Sequence, residues 1–189
     1  MVAMVGDIAW MDGSKFGHVG IFTNANTMLH AQNSGGLHTD GHGVEQSGQI
    51  IYQTNQAFRP PWADLSEAEQ AAAKARITAV TNRFMRQAVP YGIWRAIRLK
   101  LGSSTFGPEA KKRLDKYWAR LQKPVPADRS PVEKLVTKLT CVEAAILTYQ
   151  LAFYESRTVP FFINLDAAHT MPRDMAKWLL ANRWTKVSV

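Results

Sequence analysis

The sequence predicts an α+β fold in which a mostly antiparallel sheet packs against helices grouped to one side. Three observations lead there. Strand-like runs with hairpin-type turns occupy the first sixty residues, helical stretches carrying capping signals follow them, and the chain closes on another strand-like run. At 189 residues, 46% hydrophobic and 20% charged, the chain suits one domain, residues 1–189, with its own core.

Taken in order, Val5 to Met11 reads as a strand entered through Gly6-Asp7, and Asp12-Gly13 supplies hairpin-turn chemistry after it. Gly17 to Ala31 reads as two short strands joined by Asn24-Ala25-Asn26, with His18 on one and His30 on the other. Residues 33–48 carry five glycines without periodicity and read as a loop. Gln49 to Phe58 returns to strand-like residues, and Pro60-Pro61 ends them.

Ser66-Glu67-Ala68-Glu69 is a capping box that starts a helix running to about Ala88, with Ile77, Val80, Thr81, Phe84 and Ala88 as its apolar stripe. Residues 91–123 mix basic and aromatic side chains and suggest two amphipathic helices broken at Gly102-Ser103-Ser104. Pro124, Pro126 and Pro131 then make a connector, so residues 91–130 stand out as a basic, aromatic insert. Lys134 to Glu155 is the most hydrophobic helical stretch, a strand is expected at Val159 to Ile163, and Thr170-Met171-Pro172 opens a last helix. Trp184 to Val189 reads as the closing strand.

The formal net charge of +8 favours anionic partners such as acidic lipid headgroups, wall polymers or nucleic acid. No nucleic-acid motif accompanies the basic stretch, so nucleic acid is not expected as a partner. The single cysteine excludes an intrachain disulfide and a multi-thiolate zinc site. His38, Asp40 and His42 are metal-ligand types in a glycine-rich loop with no second cluster, so neither a metal nor a cofactor is expected. No apolar run approaches the ~18 residues of a membrane span, and no secretory signal is evident. The expectation is a protein cytoplasmic as made.

Cys141 sits in Thr140-Cys141-Val142-Glu143, a second capping box that would place it at the first position of a helix. There the free N–H groups favour a thiolate, lower the thiol pKa and offer an oxyanion hole, with the Val142 N–H as one donor. Ser130-Pro131-Val132-Glu133 is an equally good box, and a helix starting there would leave Cys141 in mid-helix and inert. Local sequence leaves both starts open. The histidines favour the first. With a three-residue loop, Thr23 pairs with Thr27, His30 falls opposite Gly20, and His18 lies two residues along on the same face. A two- or four-residue loop would put the histidines on opposite faces. Two histidines on one face are the base and orienter that a thiol nucleophile needs.

Val5-Gly6-Asp7-Ile8, then His18-Val19-Gly20-Ile21-Phe22, then Leu29-His30-Ala31, resemble the "GDI … HVGIY … VIHA" signature of the NlpC-type papain-like thiol hydrolases. Because Cys141 follows the histidines, the order is similar to the circularly permuted branch that includes the lecithin retinol acyltransferase-like enzymes. Val89-Pro90-Tyr91-Gly92 resembles that branch's Pro-Tyr element, and Asn164 to Ala176 its closing segment. Where those families often carry Cys-Ser-Glu or Asn-Cys-Glu, this chain has Thr140-Cys141-Val142-Glu143.

The resemblance implies a permuted papain-like fold with Cys141 as nucleophile, His18 as base and His30 as orienting residue. Tyr91 and Val142 would sit at the substrate or oxyanion position. The implied activity is thiol-dependent acyl hydrolysis or transfer on membrane phospholipid esters, as in a phospholipase A. The alternatives are a peptidoglycan peptide amidase and a non-catalytic basic binding protein. Either enzyme would fit an antibacterial toxin delivered to the envelope of target cells, with an inhibitor (immunity) protein as a further partner.

Overall fold

A computed structural model describes residues 2–11, 17–32, 44–48, 56–87, 89–92, 96, 102–124 and 135–189. Among them six strands form one antiparallel sheet: β1 (Ile8–Met11), β2 (His18–Phe22), β3 (Thr27–Ala31), β4 (Val44–Gly48), β5 (Gln56–Arg59) and β6 (Thr185–Ser188), in the order β4-β3-β2-β1-β5-β6. Among the described residues four α-helices with defined bounds accompany it: α1 (Glu67–Arg86), α2 (Pro108–Leu121), α3 (Cys141–Ala152) and α4 (Pro172–Ala181). The architecture is α+β.

Each strand sends alternate residues to opposite faces. Ile8, Val19, Ile21, Leu29 and Phe58 face the larger core, which also takes the buried stripes of all four helices. Ala9, Met11, Phe22, Met28, Ala57 and Val187 make a smaller cluster on the other face. The helix α3 lies against β2 and β3 and is flanked by α1 and α2. All twelve of its residues are buried, which explains its near-continuous hydrophobic sequence.

The sheet's centre is pinned by a buried charge pair. Asp7, fully buried, accepts from the Arg59 guanidinium through Nη2 at 2.6 Å and through a bifurcated Nε at 3.1 and 3.2 Å, and from the Met4 N–H at 2.9 Å. Burial raises the Asp7 pKa, and Arg59 pulls it back down. Two caps are formed as the sequence predicts. Ser66 Oγ accepts the Glu69 N–H while Glu69 accepts the Ser66 N–H at 2.8 Å, and α1 ends within two residues of its expected stop.

Three expectations are corrected. The stretch 33–48, read as a loop, contains β4, held by backbone pairing to β3 from Thr27↔Gly48 to Ala31↔Val44. Its sequence, Val-Glu-Gln-Ser-Gly, has one apolar residue and so gave no alternation to read. The expected strand at Val159 to Ile163 is instead a run of turns. Its carbonyls are taken by side chains rather than a neighbouring strand: Gln150 Nε2 donates to Ile163 O and Leu165 O, and Trp184 Nε1 to Pro160 O. The hydrophobic helix begins at Cys141 rather than Lys134, because residues 135–139 are not helical. The competing start at Ser130, the first of the two basic helices, Ala88 and the His38–His42 cluster lie outside the described residues.

Candidate functional site

The hairpin β2–β3 has the three-residue loop that its sequence predicts. Thr23 N donates to Thr27 O at 3.0 Å, and Asn24 Oδ1 caps the loop by accepting from the N–H groups of Asn26 and Thr27. The register follows: Gly20 opposes His30, Ile21 opposes Leu29, and Phe22 opposes Met28. His18 and His30 share a face, and His18 Nε2 lies 3.2 Å from His30 Nδ1 with the rings edge to face. Gly20 makes this possible. A Cβ there would stand 3.3 Å from the His30 Cβ and 3.0 Å from the Met28 sulfur, tighter than ordinary contact.

Thr140 caps α3, its Oγ1 accepting the Glu143 N–H at 3.2 Å while Glu143 Oε2 accepts the Thr140 N–H at 2.9 Å. Cys141 is therefore the first residue of the helix, with the free N–H groups of the first turn around it. The backbone N–H groups of Val19, Val142 and Cys141 itself act on the thiol. Val19 follows His18 directly in β2, so the helix start and the histidine hairpin meet at that strand. The contact is through the backbone, and the Cys141 thiol and the His18 ring are not hydrogen-bonded to each other. Strand alternation puts His18 and His30 on the face away from the helix layer that carries Cys141.

Tyr91 belongs to the same corner. The segment 90–92 bridges to Leu139 in parallel, with Gly92 N donating to Leu139 O at 2.9 Å and Leu139 N to Pro90 O at 3.1 Å. That places the phenol near enough to Cys141 and Glu143 to feel their charge. Burial first, and then those two groups, drive its pKa upward, so Tyr91 remains a hydroxyl donor across the working range.

The electrostatics differ from those expected of a thiol at a helix start. Burial pushes the Cys141 pKa up to about 11; the three N–H groups pull it down only in part, and Glu143 adds to the rise. The side chain is 7% exposed. Burial also lowers both imidazoles to about 4, with repulsion from His18 adding to the effect on His30. At neutral pH Cys141 is thus a protonated thiol and His18 and His30 are uncharged rings.

Of the five residues singled out in the sequence, Tyr91, Cys141 and Val142 lie together at the start of α3 and His18 and His30 pair on the hairpin; the two groups are linked through the Val19 backbone N–H. Sequence reasoning missed Val19, which acts through its backbone N–H and leaves no side-chain signal. It also treated Glu143 only as a cap, although its buried carboxylate bears on both Tyr91 and Cys141. Among the described residues no group of three or more His, Cys, Asp or Glu could hold a metal ion, and no helix is long and apolar enough to cross a membrane. No protein-family model, no curated protein and no solved structure matches this chain.

Proposed function

We propose that this chain is a cysteine-dependent acyl hydrolase or acyltransferase with a permuted papain-like fold of the NlpC type, acting on phospholipid acyl esters. The observation that carries the reading is the convergence at β2: a capped helix start bearing the only thiol, beside a strand whose His18 contacts His30 at 3.2 Å. In this scheme the Cys141 sulfur attacks the ester carbonyl as its proton passes to Nδ1 of His18. Nε2 of His18 then carries the proton donated toward His30 Nδ1, which fixes the tautomer of both rings.

Two donors converge on the oxygen that becomes negative, the Val142 N–H and the Tyr91 hydroxyl. Collapse breaks the carbon–oxygen bond, and the leaving alcohol takes the proton back from His18. Water or a second alcohol then attacks the thioester, giving up its proton to His18 and restoring the thiol. His30 holds the base in position and does not touch substrate.

The lipid substrate is supported by the basic, aromatic character of the insert. On α2, Lys111, Lys112 and Lys116 are exposed beside half-buried Tyr117 and Trp118, an arrangement suited to an anionic bilayer surface. Peptidoglycan peptides are the competing substrate for the same residues. A non-catalytic role would call for Cys141 in mid-helix and away from the histidines; its position at the start of α3 counts against the first of these.

The test incubates purified protein and Cys141→Ala with phosphatidylglycerol vesicles and, separately, with peptidoglycan fragments. Free fatty acid released only by the intact thiol is the expected result. Muropeptide cleavage without lipid turnover would replace the lipid reading with the amidase one, and inertness toward both would remove the enzyme reading.

A further inference from the structure

A second feature lies at the far end of α3 from the thiol. A groove of about 460 Å³ opens between α1, α2 and the end of α3, a size within the range of small-molecule sites. Its walls are apolar, with Val80, Trp118, Leu121 and Phe153 among them. Arg83 lines it too, and this side chain is unusual: the residue is 5% exposed, and among the described residues its Nε has no hydrogen-bond partner and no carboxylate pairs with it. One long bond, Nη2 to Lys123 O at 3.5 Å, is the contact the structure gives it. Burial and the nearby Arg86 push its pKa down, the mark of a cation held without compensation.

A buried guanidinium with an orphan donor costs the fold stability and calls for an explanation. The groove supplies one. Among the described residues lining it, Arg76, Arg83 and Lys123 are cationic and Glu155 alone is acidic. A single buried cation in apolar walls matches a monoanion with an apolar body better than a free phosphate, which carries more charge and nothing for the walls to hold. The planar Nε–Nη2 edge of arginine fits the two oxygens of a carboxylate.

We propose that this groove binds an amphiphilic carboxylate, its head on the Nε–Nη2 edge of Arg83 and its chain along Val80, Trp118 and Leu121. The site is separate from the thiol corner: α3 spans about 18 Å, with Cys141 at its start and the groove at its end. It does not depend on what the thiol does.

Calorimetric titration with decanoate, decanol and inorganic phosphate tests this on the full chain, on Arg83→Met and on Ala79→Trp, a substitution at the exposed groove wall. The expected result is one decanoate per chain, bound more tightly than decanol, with phosphate not competing. Arg83→Met weakens decanoate by roughly ten- to a hundredfold while leaving decanol unchanged, and Ala79→Trp blocks both. Because Arg83→Met removes an uncompensated charge, its melting temperature should equal or exceed that of the parent. Equal affinity for decanoate and decanol, undiminished binding in Arg83→Met, or phosphate displacing decanoate would each overturn the proposal. If Arg83→Met does not fold, the decanoate–decanol comparison and Ala79→Trp decide it in the same terms.

Discussion

At the scale of single residues, the Cys141 thiol and the two imidazoles are uncharged at neutral pH, so the proposed reaction would start from a thiol and not from a standing thiolate–imidazolium pair. With Cys141 held at about 11, alkylation of the native protein should speed up about tenfold per pH unit through neutrality and level off only near pH 11. A plateau by pH 8, measured with iodoacetamide, would mean a thiolate already formed at rest. Turnover should fall on acidification as the rings protonate near pH 4, and His18→Ala should reduce it by about 10²–10⁴ at pH 7. The same rings govern acid stability. Their folded pKa lies below the ordinary imidazole value of 6.5, so the unfolded chain takes up protons first; the stability they lend is complete above about pH 6.5 and is lost as pH falls toward 4. Urea midpoints followed from pH 7 to 4 should show that loss, and His30→Gln should flatten it. The residues were legible in the sequence because each carries its own chemistry, whereas the sign of the Cys141 shift was not. A helix start argues for a lower thiol pKa, and only the packing around it shows that burial outweighs the N–H groups.

At the scale of elements, the hairpin register keeps the two histidines on one face. Deleting Ala25 leaves Asn24-Asn26 as a two-residue loop between the same paired residues, Thr23 and Thr27, so Gly20 still opposes His30 and the histidines keep their shared face. Activity should therefore survive that deletion, whereas Gly20→Val, whose Cβ would crowd the Met28 sulfur and the His30 Cβ, should lower it while far-UV circular dichroism changes little; full activity in Gly20→Val would show that the close histidine pair is not needed. Thr140→Ala removes the oxygen that accepts the Glu143 N–H, and should cost about 1 kcal/mol of stability together with activity, since the cap orients the N–H groups around Cys141. These two elements were readable because their signals are local, an odd-length Asn-rich turn and a threonine three residues before a glutamate. β4 and the turns around Phe161 were not. Each is fixed by partners distant in sequence, the edge of β3 for one and the Gln150 amide for the other.

At the scale of the molecule, the sheet order brings Asp7 at the head of β1 against Arg59 at the end of β5, fifty-two residues away. Arg59→Ala leaves the Asp7 carboxylate buried without its main partner and should cost about 3–5 kcal/mol near neutrality. Because Asp7 then protonates more readily, the deficit should shrink as pH falls; a deficit independent of pH would show that packing, not charge, is what Arg59 supplies. The α+β class and the grouping of helices on one side followed from the order of strand-like and helical runs. The neighbours of each strand did not, because the pairing of β5 with the C-terminal β6 joins segments that share no local signal.

The complete burial of α3 has one more consequence. A helix with no solvent-facing side cannot open alone, since every turn is covered by the sheet or by α1 and α2. Its amide protons should therefore exchange with deuterium only when the whole chain unfolds, with protection equal to the global stability. The thiol and the Arg83 groove would then be attached to opposite ends of the slowest-exchanging segment of the protein.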